Sequence, residues 1–185
     1  MVIQAVRSAS ELGDADISFR EGAIFTFTPR RHSSPISLVR DLLLRHVPED
    51  MASAIGKALA LLEDAEVSFH GGEAHLHEAQ NVLPLYSGVA AALHHLGVEA
   101  IAFDVLEAGS GRISFSHGEF DLPAPATRHI LKRLGVVYTC ERKGEWTTPT
   151  GAALLGAFPR VPMAAEAEYR TGRSGGVEVR IALRE

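Results

Sequence analysis

The sequence predicts an α+β fold: a single domain of antiparallel strands with helices packed on them. Three observations carry that prediction. Residues 35–47, 49–67, 82–96, 125–134 and 149–157 place apolar side chains at helical spacing. Short alternating segments rich in β-branched and aromatic residues lie between them. The two kinds of element follow each other irregularly, whereas a doubly wound parallel sheet needs regular strand–helix alternation.

Composition bounds the rest. The chain of 185 residues fits one domain with a small appendage. Hydrophobic residues make up 46% and charged residues 22%, as in ordinary globular proteins. A net charge of −5 gives no broad basic field for nucleic acid or an anionic membrane. Cys140 is the only cysteine, which excludes a disulfide framework and any multi-cysteine zinc or iron–sulfur site. Met1 to Arg7 lacks a basic region followed by a long apolar run, and no stretch reaches the length of a membrane span. A cytoplasmic protein is expected.

Residues 1–28 read as an N-terminal β-hairpin extension, and 29–185 as the core domain. Ile17 and Phe19 alternate with polar neighbours, Glu21-Gly22 can turn, and Ile24 to Phe27 is β-rich. Arg30-Arg31-His32 is a small basic knot, read as a solvated loop or a phosphate contact. Ser34-Pro35 reads as a helix start, with Ile36, Val39, Leu43 and Val47 on one face. Pro48 ends that helix. Glu49-Asp50 opens the next, striped by Met51, Ile55, Ala58 and Leu62.

Phe69 to Glu78 then gathers His70, His75, His77, Glu73 and Glu78 around Gly71-Gly72. If His75-Leu76-His77 is extended, both imidazoles point to one side. Two imidazoles beside a carboxylate suit a divalent metal such as nickel or zinc. A polar, solvated loop between helices fits the same spacing.

Asn81 can cap a third helix whose apolar face is Val82, Leu85, Tyr86, Val89, Leu93 and Leu96. Pro84 is placed in its first turn, and Gly97 stops it. His94 and His95 project about 100° apart from its last turn and do not clamp one ion. Residues 100–105 read as a buried strand. Gly109 to Gly111 reads as a turn, and Arg112 to His117 as a second strand. Pro125 starts a helix that Gly135 stops. Val136 to Cys140 reads as a strand in which Cys140 is a small buried hydrophobe, since nothing local supplies a base for it. Residues 141–146 form a charged turn. Thr148 is an N-cap with Pro149 first in the helix; plain capping is the simpler account of this threonine-rich start, whose hydroxyls and amides can otherwise hold a phosphate or carboxylate. Strands at 165–169 and 177–183 flank a glycine-rich turn.

Three of these segments, in this order, resemble the motifs of the LarC-type nickel-insertion family, the nickel-pincer-cofactor nickel-insertion proteins. They are His75-Leu76-His77-Glu78; His117-Gly118 with Leu122-Pro123-Ala124-Pro125-Ala126-Thr127; and Gly144-Glu145-Trp146-Thr147-Thr148-Pro149-Thr150-Gly151-Ala152-Ala153. The resemblance implies CTP-dependent insertion of nickel into a pyridinium dithiocarboxylate mononucleotide, the pincer-type cofactor of lactate racemase and related enzymes. It implies metal ligation by His75, His77, Glu78 and His117, with His32 matching an upstream histidine. Thr148 and Thr150 would receive the cofactor.

The departures bear on activity. Arg30 replaces the first upstream histidine, and Ala79 to Leu85 keeps neither aspartate of the family pattern. The family's N-terminal opening and its nucleotide-binding C-terminal part have no counterpart. Two functions are therefore expected. One is a reduced family member that binds nickel, or zinc in its place, for delivery with a separate CTP-binding partner protein. The other is a noncatalytic relative that binds a ligand or a partner.

Overall fold

The computed structural model describes residues 33–72, 74–77, 79–95, 97–115, 118–163, 169–174 and 177–182. The N-terminal extension at 1–28 lies outside them. Five helices are described: α1 (Ile36–Leu44), α2 (Glu49–His70), α3 (Ala79–His95), α4 (Pro125–Arg133) and α5 (Pro149–Ala157). They follow the sequence stripes closely, and the α+β class holds.

Helix α2 is the spine. Its 22 residues span about 33 Å, and α1, α3, α4 and α5 all pack on it. The cause is its stripe: Met51, Ile55, Ala58, Leu59, Leu62 and Ala65 are buried. Gly71, at φ 59°, ends it by donating its N–H to the Val67 carbonyl at 3.0 Å. Helix α5 is apolar all round, as a fully covered helix must be; Gly151 to Leu155 and Ala157 are all buried. Gly156 lets it approach α2 and α4, since a Cβ there would lie 2.7 Å from Leu61 and Leu134 methyls.

Among the described residues the strands are short and paired two by two. Antiparallel pairs join β1 (Ser33–Pro35) to β2 (His75–His77), β5 (Gly109–Ser110) to β9 (Gly144–Glu145), β6 (Arg112–Phe115) to β7 (Gly118–Asp121), and β11 (Tyr169–Ser174) to β12 (Val177–Ala182). Two pairs are parallel: β3 (Ile101–Ala102) with β10 (Arg160–Val161), and β4 (Leu106–Glu107) with β8 (Tyr138–Thr139). Their hydrogen bonds cross whole helices in sequence, which local pattern does not reveal.

Several local expectations are corrected. Ser34 pairs with Leu76 in β1 and so does not cap α1; Pro35 takes the cap position without a side-chain bond. Helix α3 starts at Ala79, so Asn81 is inside it and Pro84 falls beyond the first turn. Residues 100–105 hold only the two-residue β3. Gly109-Ser110 is paired strand, because the segment at 144–145 comes alongside. Cys140 is exposed, just past the end of β8 at Thr139.

Candidate functional site

The β1–β2 ladder sets the histidine strand. Ser33 pairs with His77, Ser34 with Leu76 and Pro35 with His75. Ile36 extends it by donating its N–H to the Ala74 carbonyl at 3.2 Å. Ala74 and Leu76 are buried in the core. Strand alternation then puts positions 75 and 77 on the opposite face, where the His75 side chain is half-buried. Glu78, His117 and His32 lie outside the described residues, and His77 is placed by its backbone. Among the described residues, no three His, Cys, Asp or Glu side chains gather as a metal site.

The hairpin of β6 and β7 touches the end of α2. Its last described pair is Phe115 with Gly118, next to the segment that carries His117. The Phe120 ring meets Phe69 edge to face, with centroids 5.7 Å apart. The hairpin therefore lies against the end of α2, from which Gly71-Gly72 leads to β2. Strand β6 also runs beside β9, the strand that leads to Thr148.

The threonine segment is tied into the fold at every step. The Thr147 hydroxyl donates to the Glu107 carbonyl at 2.8 Å, and its own carbonyl accepts from the buried Thr127 hydroxyl at 3.4 Å. Thr148 caps α5 by accepting from the Gly151 N–H at 3.1 Å. The Thr150 carbonyl accepts from the buried Tyr86 hydroxyl at 3.1 Å. Burial pushes that phenol's pKa well up. The two proline–threonine motifs thus touch each other.

Two groups escaped the sequence reading. Glu107 accepts from Gly109 N at 2.8 Å, Thr139 Oγ1 at 2.9 Å, Glu141 N at 3.2 Å and Arg142 N at 3.3 Å. Partial burial raises its pKa, but these four bonds outweigh burial and hold it below the usual range. The second group joins α2 to α4. His129 Nε2 lies 2.7 Å from Asp64 Oδ2 and its Nδ1 lies 3.1 Å from Ser68 Oγ. Arg133 donates to the same Asp64 oxygen at 2.7 Å. The His129 bond lowers the Asp64 pKa most; partial burial opposes it, and the Arg133 charge adds to the lowering. Only the one-turn spacing of Asp64 and Ser68 was visible in the sequence, and their partner lies far along it.

The nickel insertion protein family model matches residues 22–175. The chain belongs to the nickel insertion protein family. Three curated relatives carry the name "Putative nickel insertion protein". That of Geotalea daltonii is 38% identical over 136 residues, covering 70% of this chain and 34% of the relative. That of Geobacter metallireducens is 36% identical over 144 residues, covering 72% and 36%. That of Roseiflexus castenholzii is 40% identical over 108 residues, covering 55% and 27%. The chain spans about a third of the length of the first two relatives. No solved structure matches it. No described helix of this family member is long and apolar enough to cross a membrane.

Proposed function

We propose that this chain holds Ni²⁺ as cargo in the insertion reaction for which its family is named, and that β2 carries the grip. The supporting observation is the β1–β2 register: Leu76 is anchored in the core, which leaves positions 75 and 77 on the other face. Imidazole nitrogens from His75 and His77 are suitable donors for nickel, and for zinc in its place. Glu78 and His117 act as further ligands or orient the imidazoles. The acceptor is a pincer-type nucleotide whose phosphate meets the amides at the start of α5, at Thr148 and Thr150. CTP is bound by another segment or a partner protein.

Calorimetry tests this. Wild-type protein should bind Ni²⁺ with a Kd near micromolar, about −8 kcal/mol. Binding should weaken below about pH 6, where free histidines take up protons that ligands must shed. Equal binding by His75→Ala/His77→Ala would move the cargo site elsewhere.

A second reading has its own observation. The Thr147 and Thr148 hydroxyls are both used by fold contacts, as in a noncatalytic relative that binds a ligand or a partner. Metal binding without transfer to a pincer nucleotide, in the presence of CTP and a CTP-binding partner, would favour it.

A further inference from the structure

Two contacts away from the histidine strand tie the end of α2 to α4 and to the hairpin before it. One is the Phe69–Phe120 ring contact. The other is His129, held between Asp64 and Ser68, which lie one turn apart on α2. Both partners of the ring are held by further contacts. The Ser68 hydroxyl gives its single proton to the Ala65 carbonyl oxygen at 2.8 Å. The Asp64 carboxylate, which also takes the Arg133 N–H, is an acceptor only. Both ring nitrogens of His129 are thus engaged, Nε2 by the carboxylate and Nδ1 by the hydroxyl.

Asp64, His129 and Ser68 have the connectivity of a hydrolytic triad, but the chemistry points away from one. The serine proton is directed at a backbone carbonyl. Ser68 also sits in the last turn of α2, whose partial negative charge opposes a developing oxyanion.

We infer that His129 is a positioning residue: its two-sided bridge fixes the end of α2, and so the turn into β2, against α4. The inference rests on the reading that His75 on β2 holds the metal. Removing the bridge leaves every metal ligand in place but frees the segment that presents one of them.

The full chain, labelled with ¹⁵N in histidine, supplies the first test. Nitrogen NMR should show both His129 ring nitrogens displaced from free-imidazole shifts by hydrogen bonding, and Asp64→Asn should change that signature. Ring nitrogens on His129 with the shifts of a free, solvated imidazole in the unmutated protein overturn the bridge. Titration with Ni²⁺ supplies the second. His129→Phe should bind about tenfold more weakly, the low end of what loss of a supporting contact costs a metal site. Ile130→Val, a core truncation on the same helix, should lower the melting temperature without moving nickel affinity. If His75→Ala abolishes binding while His129→Phe leaves it unchanged, the positioning role fails and the metal site stands. If nickel affinity is indifferent to His75→Ala, the metal reading fails and the positioning role falls with it.

Discussion

Replacing Glu107 with alanine should destabilise the protein by about 2–4 kcal/mol. The carboxylate takes four hydrogen bonds, but they are not equal. The Glu141 and Arg142 amides belong to exposed residues, so water replaces the carboxylate there at little loss. The Gly109 N–H lies in a buried residue, and Thr139 is partly buried. Leaving such a donor without a partner costs roughly 1–3 kcal/mol, and the lost charge-assisted bond from Thr139 adds about 1 kcal/mol. In a chain of this length each kcal/mol moves Tm by about 2–4 °C, so a fall of about 4–16 °C is expected. The dependence on pH sharpens the test. Glu107 titrates below its ordinary value in the folded state. Its contribution is therefore present above the unfolded carboxylate pKa of about 4.3 and is lost as pH falls through the lower folded value. Thermal unfolding of wild type and variant should thus converge at acid pH. A difference under about 0.5 kcal/mol at pH 7, or a gap of constant size down to pH 3, would refute the argument.

Other perturbations read different parts of the fold. Gly109→Ala should prevent stable folding, because the added Cβ would lie 1.9 Å from the Gly144 carbonyl oxygen at a φ of +93°. Gly156→Ala meets only leucine methyls, at 2.7 Å; overpacking of about 1–3 kcal/mol is offset by about 1 kcal/mol of helix propensity, so urea denaturation should show a loss of about 2 kcal/mol or less. Thr148→Ala should cost about 1 kcal/mol through the lost cap, and a loss of nucleotide affinity beyond that would support a phosphate at α5. Cys140 should react with a thiol reagent in the native protein, because it is exposed; reaction only after unfolding would contradict the structure.

Helices were legible because each carries its own record. The stripes of α2 and α4 and the pairing of Thr148 with Pro149 lie within one segment, and the structure places them where period and cap indicate. Strand partners carry no such record. Nothing near Gly109 announces that Gly144 will come within contact, and nothing near Ser34 announces Leu76. Asn81 misled because an N-cap residue is defined by where the chain turns, and Ala79 already lies in the helix. Cys140 misled because an apolar neighbourhood in sequence stood in for burial in space. The histidine strand was readable through its alternation around Leu76. Glu107 and His129 were not, since each acts through partners dozens of residues away.

The order in which the helices pack has a consequence for how the chain is made. Helix α5, last of the described helices, covers much of α2, an early one. A nascent chain that has emerged only as far as α4 therefore leaves part of the α2 stripe in water. Local contacts, such as α1 on α2, can form during synthesis, whereas closure of the α2–α5 interface must wait for Ala157. Truncation anywhere before that residue should yield sticky, aggregating fragments, and any safe cut or fusion point in the described region lies beyond it.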